Sequence, residues 1–364
     1  MMRRRLRDLG VRIGRFPTGP FNAITDVPGV HVGHATVRSA DGQVHTGVTA
    51  ILPNDQNVFM DRPVAGSFVL NGAGEMSGLI QVQEWGMIET PILLTNTMAV
   101  GSVSASAVRY LLTHYPGIGR EHDVIIPVVG ECDDSFLNDV TLHSIHEQHV
   151  FQALESASSG PVAEGSVGGG TGMLAFDLKS GIGTSSRVID LEGLKMTVGV
   201  LVMSNFGKIE DFRVDGLPIG RELAPLLTDD RRTKFYGSII AVLATDAPLL
   251  PFQLNRLSKR VALALGRCGS YAAHGSGEII IAFSTTNKVP RRAPGPTTTM
   301  QMLSDRLMDP LYQSAIEATE ESVVNALCMA EPTVGVDGNI APALPIEPFL
   351  DALRKYGVVS TDRP

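Results

Sequence analysis

Short apolar runs punctuate the chain, and five of them mix β-branched residues with boundaries of Gly, Asn, Asp or Pro: residues 49–52, 124–129, 196–203, 238–244 and 278–283. Runs of that length and composition predict strands buried on at least one face. Helical periodicity lies between them. Leu254, Leu257, Val261 and Leu265 step by three and four after Pro251, which predicts a helix opened by that proline. A second, longer helix is predicted over residues 304–329. The alternation is irregular, so the expected class is α/β with layered sheets and helices in one domain over 1–364, without the βαβ rhythm of a dinucleotide fold.

Two polar stretches interrupt this pattern. Residues 285–299 hold three prolines and three cations and are predicted to form a surface loop. Residues 206–236 are rich in charge, carry the run Asp229-Asp230-Arg231-Arg232-Thr233-Lys234, and end directly before an apolar run. A solvated segment open to cleavage is the expectation there.

Composition narrows the partners. The 364 residues allow a large core without staples, and the net charge is −8, with cations gathered only in the first fifteen residues. That balance argues against nucleic acid as the main partner. Cys132, Cys268 and Cys328 are odd in number and widely spaced, so neither a disulfide framework nor a Cys-x-x-Cys metal site can be read, and a reducing compartment fits. The basic N-terminus has no apolar segment behind it, and no stretch approaches ~18 apolar residues, so a soluble, cytoplasmic protein without membrane contact is expected. Glycine stands out: 38 of 364 residues, about one in ten against a usual ~7%.

Three constellations could carry chemistry. The glycine-rich run 164–173 could cradle a phosphate with backbone N–H groups, yet no Lys-Ser/Thr follows it and the G-x-G-x-x-G order is not clean. A close-packed turn is the plainer reading. His143, His146 and His149, with Glu147 among them, recur at three-residue steps, but on a helix the outer pair could not share one tetrahedral ion with the middle one. A solvated helix face is expected. The third constellation lies in two pieces. Gly237-Ser238 opens one apolar strand, and His274-Gly275-Ser276-Gly277-Glu278 leads into another. Ser276 and Glu278 would project from one face of an extended segment, so a nucleophile, a proton relay and an orienting charge could assemble there.

At these residues the chain resembles the DmpA/BapA family of self-processing L-aminopeptidase/D-esterases and β-aminopeptidases. The likeness covers nearly the whole chain. It runs through Asn22-Ala23-Ile24-Thr25-Asp26-Val27-Pro28-Gly29-Val30-His31-Val32-Gly33-His34, Pro91-Ile92-Leu93-Leu94-Thr95-Asn96-Thr97, Val167-Gly168-Gly169-Gly170-Thr171-Gly172-Met173, Gly181-Ile182-Gly183-Thr184-Ser185-Ser186-Arg187, Gly237-Ser238-Ile239-Ile240 and Ala244-Thr245-Asp246-Ala247-Pro248-Leu249-Leu250-Pro251. It implies a four-layer αββα sandwich, Ntn-hydrolase-like with different connectivity, no metal or organic cofactor, and a homotetramer.

The resemblance further implies self-cleavage between Gly237 and Ser238, giving chains 1–237 and 238–364, with Ser238 as nucleophile. Ser276 and Glu278 then match the supporting pair, Asn205 the oxyanion-hole amide, and the Gly277 N–H a second donor. Glu131 matches the acid that holds the free amine of a short peptide, amino-acid amide or ester. Asp133 stands where the family is expected to carry Tyr, and an ionised Asp cannot donate as a phenol does. That change at the substrate pocket leaves side-chain preference open. An acyltransferase of the ornithine acetyltransferase-like type, which uses a Thr nucleophile, is the alternative, and a glycine-rich nucleotide-binding module a third.

Overall fold

The computed structural model describes residues 3–55, 57–227, 237–293 and 295–358. The N-terminal half carries β1 (His31–Arg38), β2 (His45–Leu52), β3 (Asp61–Gly72), β4 (Met76–Ser77), α1 (Leu79–Trp85), β5 (Ile92–Asn96), α2 (Val100–His114), β6 (Val128–Cys132) and α3 (Glu147–Glu155). Next come a small hairpin, β7 (Leu174–Ala175) and β8 (Leu178–Lys179), and the long strands β9 (Ile182–Leu191) and β10 (Leu194–Asn205). After the one-turn α4 (Gly220–Leu223) follow β11 (Gly237–Thr245), α5 (Pro251–Cys268), β12 (Ser276–Pro290), α6 (Met308–Met329), the pair β13 (Thr333–Val334) and β14 (Ile340–Ala341), and α7 (Ile346–Lys355).

Two five-stranded sheets dominate, ordered β1-β2-β5-β6-β4 and β3-β12-β11-β10-β9. The alternation along β11 shows how they stack. Ile240, Val242 and Ala244 join Ile51, Ile92, Leu94 and Val128 of the first sheet in one apolar cluster. Ile239, Ala241 and Leu243 join Leu254, Leu257, Val261 and Leu265 of α5 and Leu311, Ala315 and Ala318 of α6 in another. On the far side of the first sheet, Val48, Ala50, Leu93 and Val129 pack against Val103 and Ala107 of α2 and Val150 and Ala153 of α3. Successive strand residues serve opposite faces, so both sheets are covered twice and the layers read α-β-β-α, as expected.

Several predicted boundaries move for physical reasons. The apolar run 124–129 enters the sheet only at Val128, because Pro127 has no N–H to give a ladder; its carbonyl is taken instead by the Ser77 hydroxyl at 3.0 Å. The polar segment beginning at 285 is not all loop. β12 continues to Pro290, paired with β3 through Lys288, Val289 and Pro290. Its pairing with β11 ends at Ser284, so this part of β12 has an open edge, where proline and charge are tolerated.

The segment after β10 is also less solvated than its charges suggest. Phe206, Ile209, Phe212, Val214, Ile219 and Leu223 are buried in the core beside the second sheet. The charged run 229–234 lies outside the described residues. The three histidines do not share a helix either: α3 begins at Glu147, and His143 ends a separate 3₁₀ turn with φ 46°. No metal-holding cluster exists among the described residues.

A buried ion network ties α6 to β9. The Arg187 guanidinium, wholly buried, meets Glu317 at 3.2 Å and Glu321 at 2.8 Å and also donates to the Ile13 and Ser186 carbonyls and the Ser185 hydroxyl. Removing one member of such a network strands the others without solvent, at about 3–5 kcal/mol. Arg187→Met is therefore expected to lower stability by about that amount in denaturant unfolding; an unchanged midpoint would show the network to be dispensable.

Candidate active site

The second sheet brings three sequence-distant residues into one row. β10 pairs antiparallel with β11 so that Asn205 lies opposite Ser238. β11 pairs parallel with β12 so that Ser238 lies opposite Gly277. Neighbouring strands are about 4.8 Å apart, so the serine sits between an amide side chain and a glycine backbone. It has the parity of Ile240 and Val242, which face the other sheet, and there the Cys132 thiol lies beside its hydroxyl. The hydroxyl has no conventional hydrogen-bond partner among the described residues.

Ser276 and Glu278 do pair as their spacing predicts: the Ser276 hydroxyl donates to Glu278 Oε1 at 2.5 Å. Register refines where they work. Ser276 lies opposite Gly237 and Glu278 opposite Ile239, so their side chains take the helix-facing side while Ser238 takes the other. The Ser276 oxygen is 3.3 Å from where a Gly237 Cβ would stand. The pair thus flanks the Gly237–Ser238 peptide instead of touching the Ser238 hydroxyl directly. Burial pushes the Glu278 carboxyl up to about 7, with the Ser276 bond pulling the other way. At neutral pH it is poised between proton donor and acceptor.

The Asn205 amide is held at both ends. Its Oδ1 accepts from the Leu174 N–H at 3.0 Å, and its Nδ2 donates to the Asp133 carbonyl at 2.8 Å. An amide nitrogen carries two protons, so one bond to Asp133 fixes the plane in which the other N–H points. Asp133 thus reaches the site through its backbone. Its carboxylate accepts from the Ser135 N–H at 2.9 Å in a local turn.

Glu131 comes from the first sheet. It is buried on β6, its Oε1 accepts from the Glu75 N–H at 2.8 Å, and its Oε2 accepts from the Thr97 hydroxyl. Burial raises its pKa, and these two bonds partly restore the charge. Both partners are neutral donors, and among the described residues no cation pairs with this carboxylate. The turn between β3 and β4 closes the gap to the second sheet. A Cβ on Gly277 would stand 2.7 Å from the Ala73 carbonyl and 3.2 Å from Gly74, so only glycine admits this turn over the row.

Sequence reasoning missed this turn, Thr97, and the role of Asn71, whose amide donates to the Ala273 carbonyl at 2.9 Å and the Ser276 carbonyl at 2.7 Å. Thr97 ends one of the quoted motifs with no role read for it, and the other two lie outside those motifs; each matters through a backbone or side-chain contact that spans 34 residues or more. The glycine-rich run is the close-packed turn, not a phosphate cradle. Gly168, Gly169 and Gly170 are buried, and a Cβ on Gly169 would strike the Leu94 carbonyl at 2.7 Å.

The model of peptidase family S58 matches residues 22–341. The chain belongs to that family. A relative, the β-peptidyl aminopeptidase BapA of Sphingosinicella microcystinivorans, is 41% identical over 373 residues, covering 97% of this chain and 92% of that protein. Among solved structures, a Burkholderia β-aminopeptidase is 40% identical with a TM-score of 0.91, over 99% of this chain and all of that one. The L-aminopeptidase D-Ala-esterase/amidase of Ochrobactrum anthropi, described as a variant among the Ntn-hydrolase folds, is 37% identical with a TM-score of 0.90, over 98% of this chain and 99% of that one. This S58 chain is an aminopeptidase-class hydrolase with the Ntn-hydrolase-like α/β sandwich. The nucleotide-binding alternative falls with that membership.

A raised pKa carries a stability cost with a definite sign. Glu278 holds its proton to about 7 in the fold against 4.5 ordinarily, so its contribution is fully present below about 4.5 and is lost as pH rises through 7. Glu278→Gln should therefore melt progressively higher than the parent as pH increases across that window. A difference in melting temperature independent of pH would show that Glu278 is not buried as described.

Proposed function

We propose that this chain cuts its own Gly237–Ser238 bond and then, as chains 1–237 and 238–364, removes N-terminal α- or β-amino acids from short peptides, amides or esters. The observation that carries this reading is the row Asn205–Ser238–Gly277, which sets one hydroxyl between two candidate oxyanion donors.

In self-cleavage the Ser238 Oγ attacks the Gly237 carbonyl carbon and the C–N bond to Ser238 breaks. The new C–O bond is an ester, the Ser238 nitrogen leaves as an amine with the hydroxyl proton, and water hydrolyses the ester. The freed α-amine has a reference pKa near 8, which suits it to accept the hydroxyl proton when Ser238 next attacks a substrate carbonyl. The Asn205 N–H and the Gly277 N–H stabilise the tetrahedral oxyanion, each typically worth ~10²–10³ in rate. Collapse expels the amine or alcohol of the substrate with that proton, and water releases the acyl group from Ser238. Ser276 and Glu278, beside the Ser238 backbone nitrogen, orient the new amine and exchange its proton.

Glu131 pairs with the substrate ammonium. A buried carboxylate without a cation is costly, and a free N-terminal amine supplies the missing charge, which restricts the enzyme to chain ends. No metal or cofactor enters this scheme. Three unpaired, buried cysteines suit a cytoplasmic, reducing setting, and no helix among the described residues is long and apolar enough to cross a membrane. Assembly as a homotetramer rests on the family likeness; exposed Ile80, Trp85, Val124 and Ile126 offer apolar surface for such contacts.

On a denaturing gel the purified protein should give two bands, the smaller beginning Ser-Ile-Ile-Ala by N-terminal sequencing, and Ser238→Ala should remain whole. A single uncut chain that is also inert toward amino-acyl amides would sink this reading. For Glu131, an amino-acyl amide should be hydrolysed at least 10²-fold faster than its N-acetylated form, on the scale of a lost charged contact; equal rates would count against an amine-binding role.

A further inference from the structure

Lys179 lies in the interior at the end of the β7–β8 hairpin with no exposed surface. Its Nζ donates to the Ser180 carbonyl at 2.7 Å, the Met173 carbonyl at 2.8 Å and the Gly170 carbonyl at 3.3 Å. An ammonium has three donors, and all three are engaged by one stretch of backbone. The glycine-rich turn and the strand that leaves it are therefore strapped to a single side chain. Among the described residues no carboxylate bonds to that ammonium, an expensive arrangement for a buried charge. Burial lowers its pKa well below the usual lysine value, the Arg38 charge lowers it further, and Asp134 opposes both.

The strapped backbone leads straight to the candidate site. The residue after Met173 is Leu174, whose N–H is the donor that holds Asn205 Oδ1. The hairpin and the residues just after it are bound to the same strand end twice more: the Phe176 N–H donates to the Phe206 carbonyl at 2.9 Å, and the Ser204 N–H donates to the Gly181 carbonyl at 2.9 Å. The opposite face of the amide is fixed by the Asp133 carbonyl, and Gly172 packs so closely on the next residue, Asp134, that a Cβ there would stand 2.7 Å from the Asp134 Cβ. Both anchors of the Asn205 amide thus rest on the backbone that Lys179 gathers.

We propose that Lys179 is a positioning residue for the reaction: through the Met173 carbonyl and the Leu174 N–H it sets the plane of the Asn205 amide and so aims the oxyanion donor at the carbonyl attacked by Ser238. This deepens the aminopeptidase reading and rests on it. The charged form suits this place because it matches three carbonyls with three donors where a neutral amine would offer only two, and an apolar replacement would release all three.

The test is Lys179→Met in the full chain, with Asn205→Ala and the double variant. Misplacing an oxyanion donor slows the chemical step with little change in substrate binding. Self-cleavage and kcat on an amino-acyl amide should therefore fall about 10²-fold, with KM within about twofold. In the Asn205→Ala background the added Lys179→Met should change the rate less than about threefold, since the donor it aims is gone. Independent, multiplicative losses would overturn the proposal, as would full activity of Lys179→Met. If both single variants are wholly inert, a crystal structure of Lys179→Met decides: a broken Leu174–Asn205 bond supports the proposal and an intact one overturns it. Lys179→Gln serves if Lys179→Met does not fold, and failure of both to fold would mark Lys179 as structural only. An uncut, inert parent would instead sink the aminopeptidase reading itself, whereas an active parent with an unaffected Lys179→Met sinks only this inference.

Discussion

Everything at the candidate site depends on the hydrogen-bonded register of three adjacent strands. β10, β11 and β12 come from distant parts of the chain, and one strand pairs antiparallel while the other pairs parallel. A slip of one residue in either ladder would turn Ser238 to the helix-facing side or replace its neighbours. What prevents the slip is the apolar alternation of β11, whose two faces are committed to two different clusters. The core thereby sets the placement of the serine, and the polar groups inherit positions that apolar packing has already chosen.

The polar groups are costly in that setting. Glu131, Glu278 and Lys179 are all buried, and burial disfavours the charged form of each. Each is given a different remedy. Among the described residues Glu131 receives two neutral donors and no cation, Glu278 receives one hydroxyl, and Lys179 receives three carbonyls. The first two keep unmet electrostatic demand, which suits groups that meet a substrate or pass a proton. The third is satisfied, which suits a fixture.

Much of this was legible in the chain. The spacing of Ser276 and Glu278 forecast their bond, the runs at 196–203, 238–244 and 278–283 forecast the three central strands, and Pro251 opened α5 where expected. Local patterns fail where a residue acts through long-range pairing. Nothing around Lys288 or Pro290 signals strand, because only β3 supports them. Phe206, Phe212 and Leu223 were masked by the charges between them, though tertiary packing buries all three. Parity across strands also decides which side of the sheet Ser276 takes relative to Ser238, and that depends on a register no single segment encodes.

The pairing of β10 with β11 also bears on how the molecule would come apart. The two strands share eight register pairs, from Val198 opposite Thr245 to Asn205 opposite Ser238, and they lie on opposite sides of the Gly237–Ser238 bond. A break there leaves the sheet intact but removes the covalent tether that keeps both halves at high effective concentration. Once melted, the two pieces must find each other by diffusion. A cut molecule of this design would therefore owe its persistence to the height of its unfolding barrier and not to a reversible folding equilibrium.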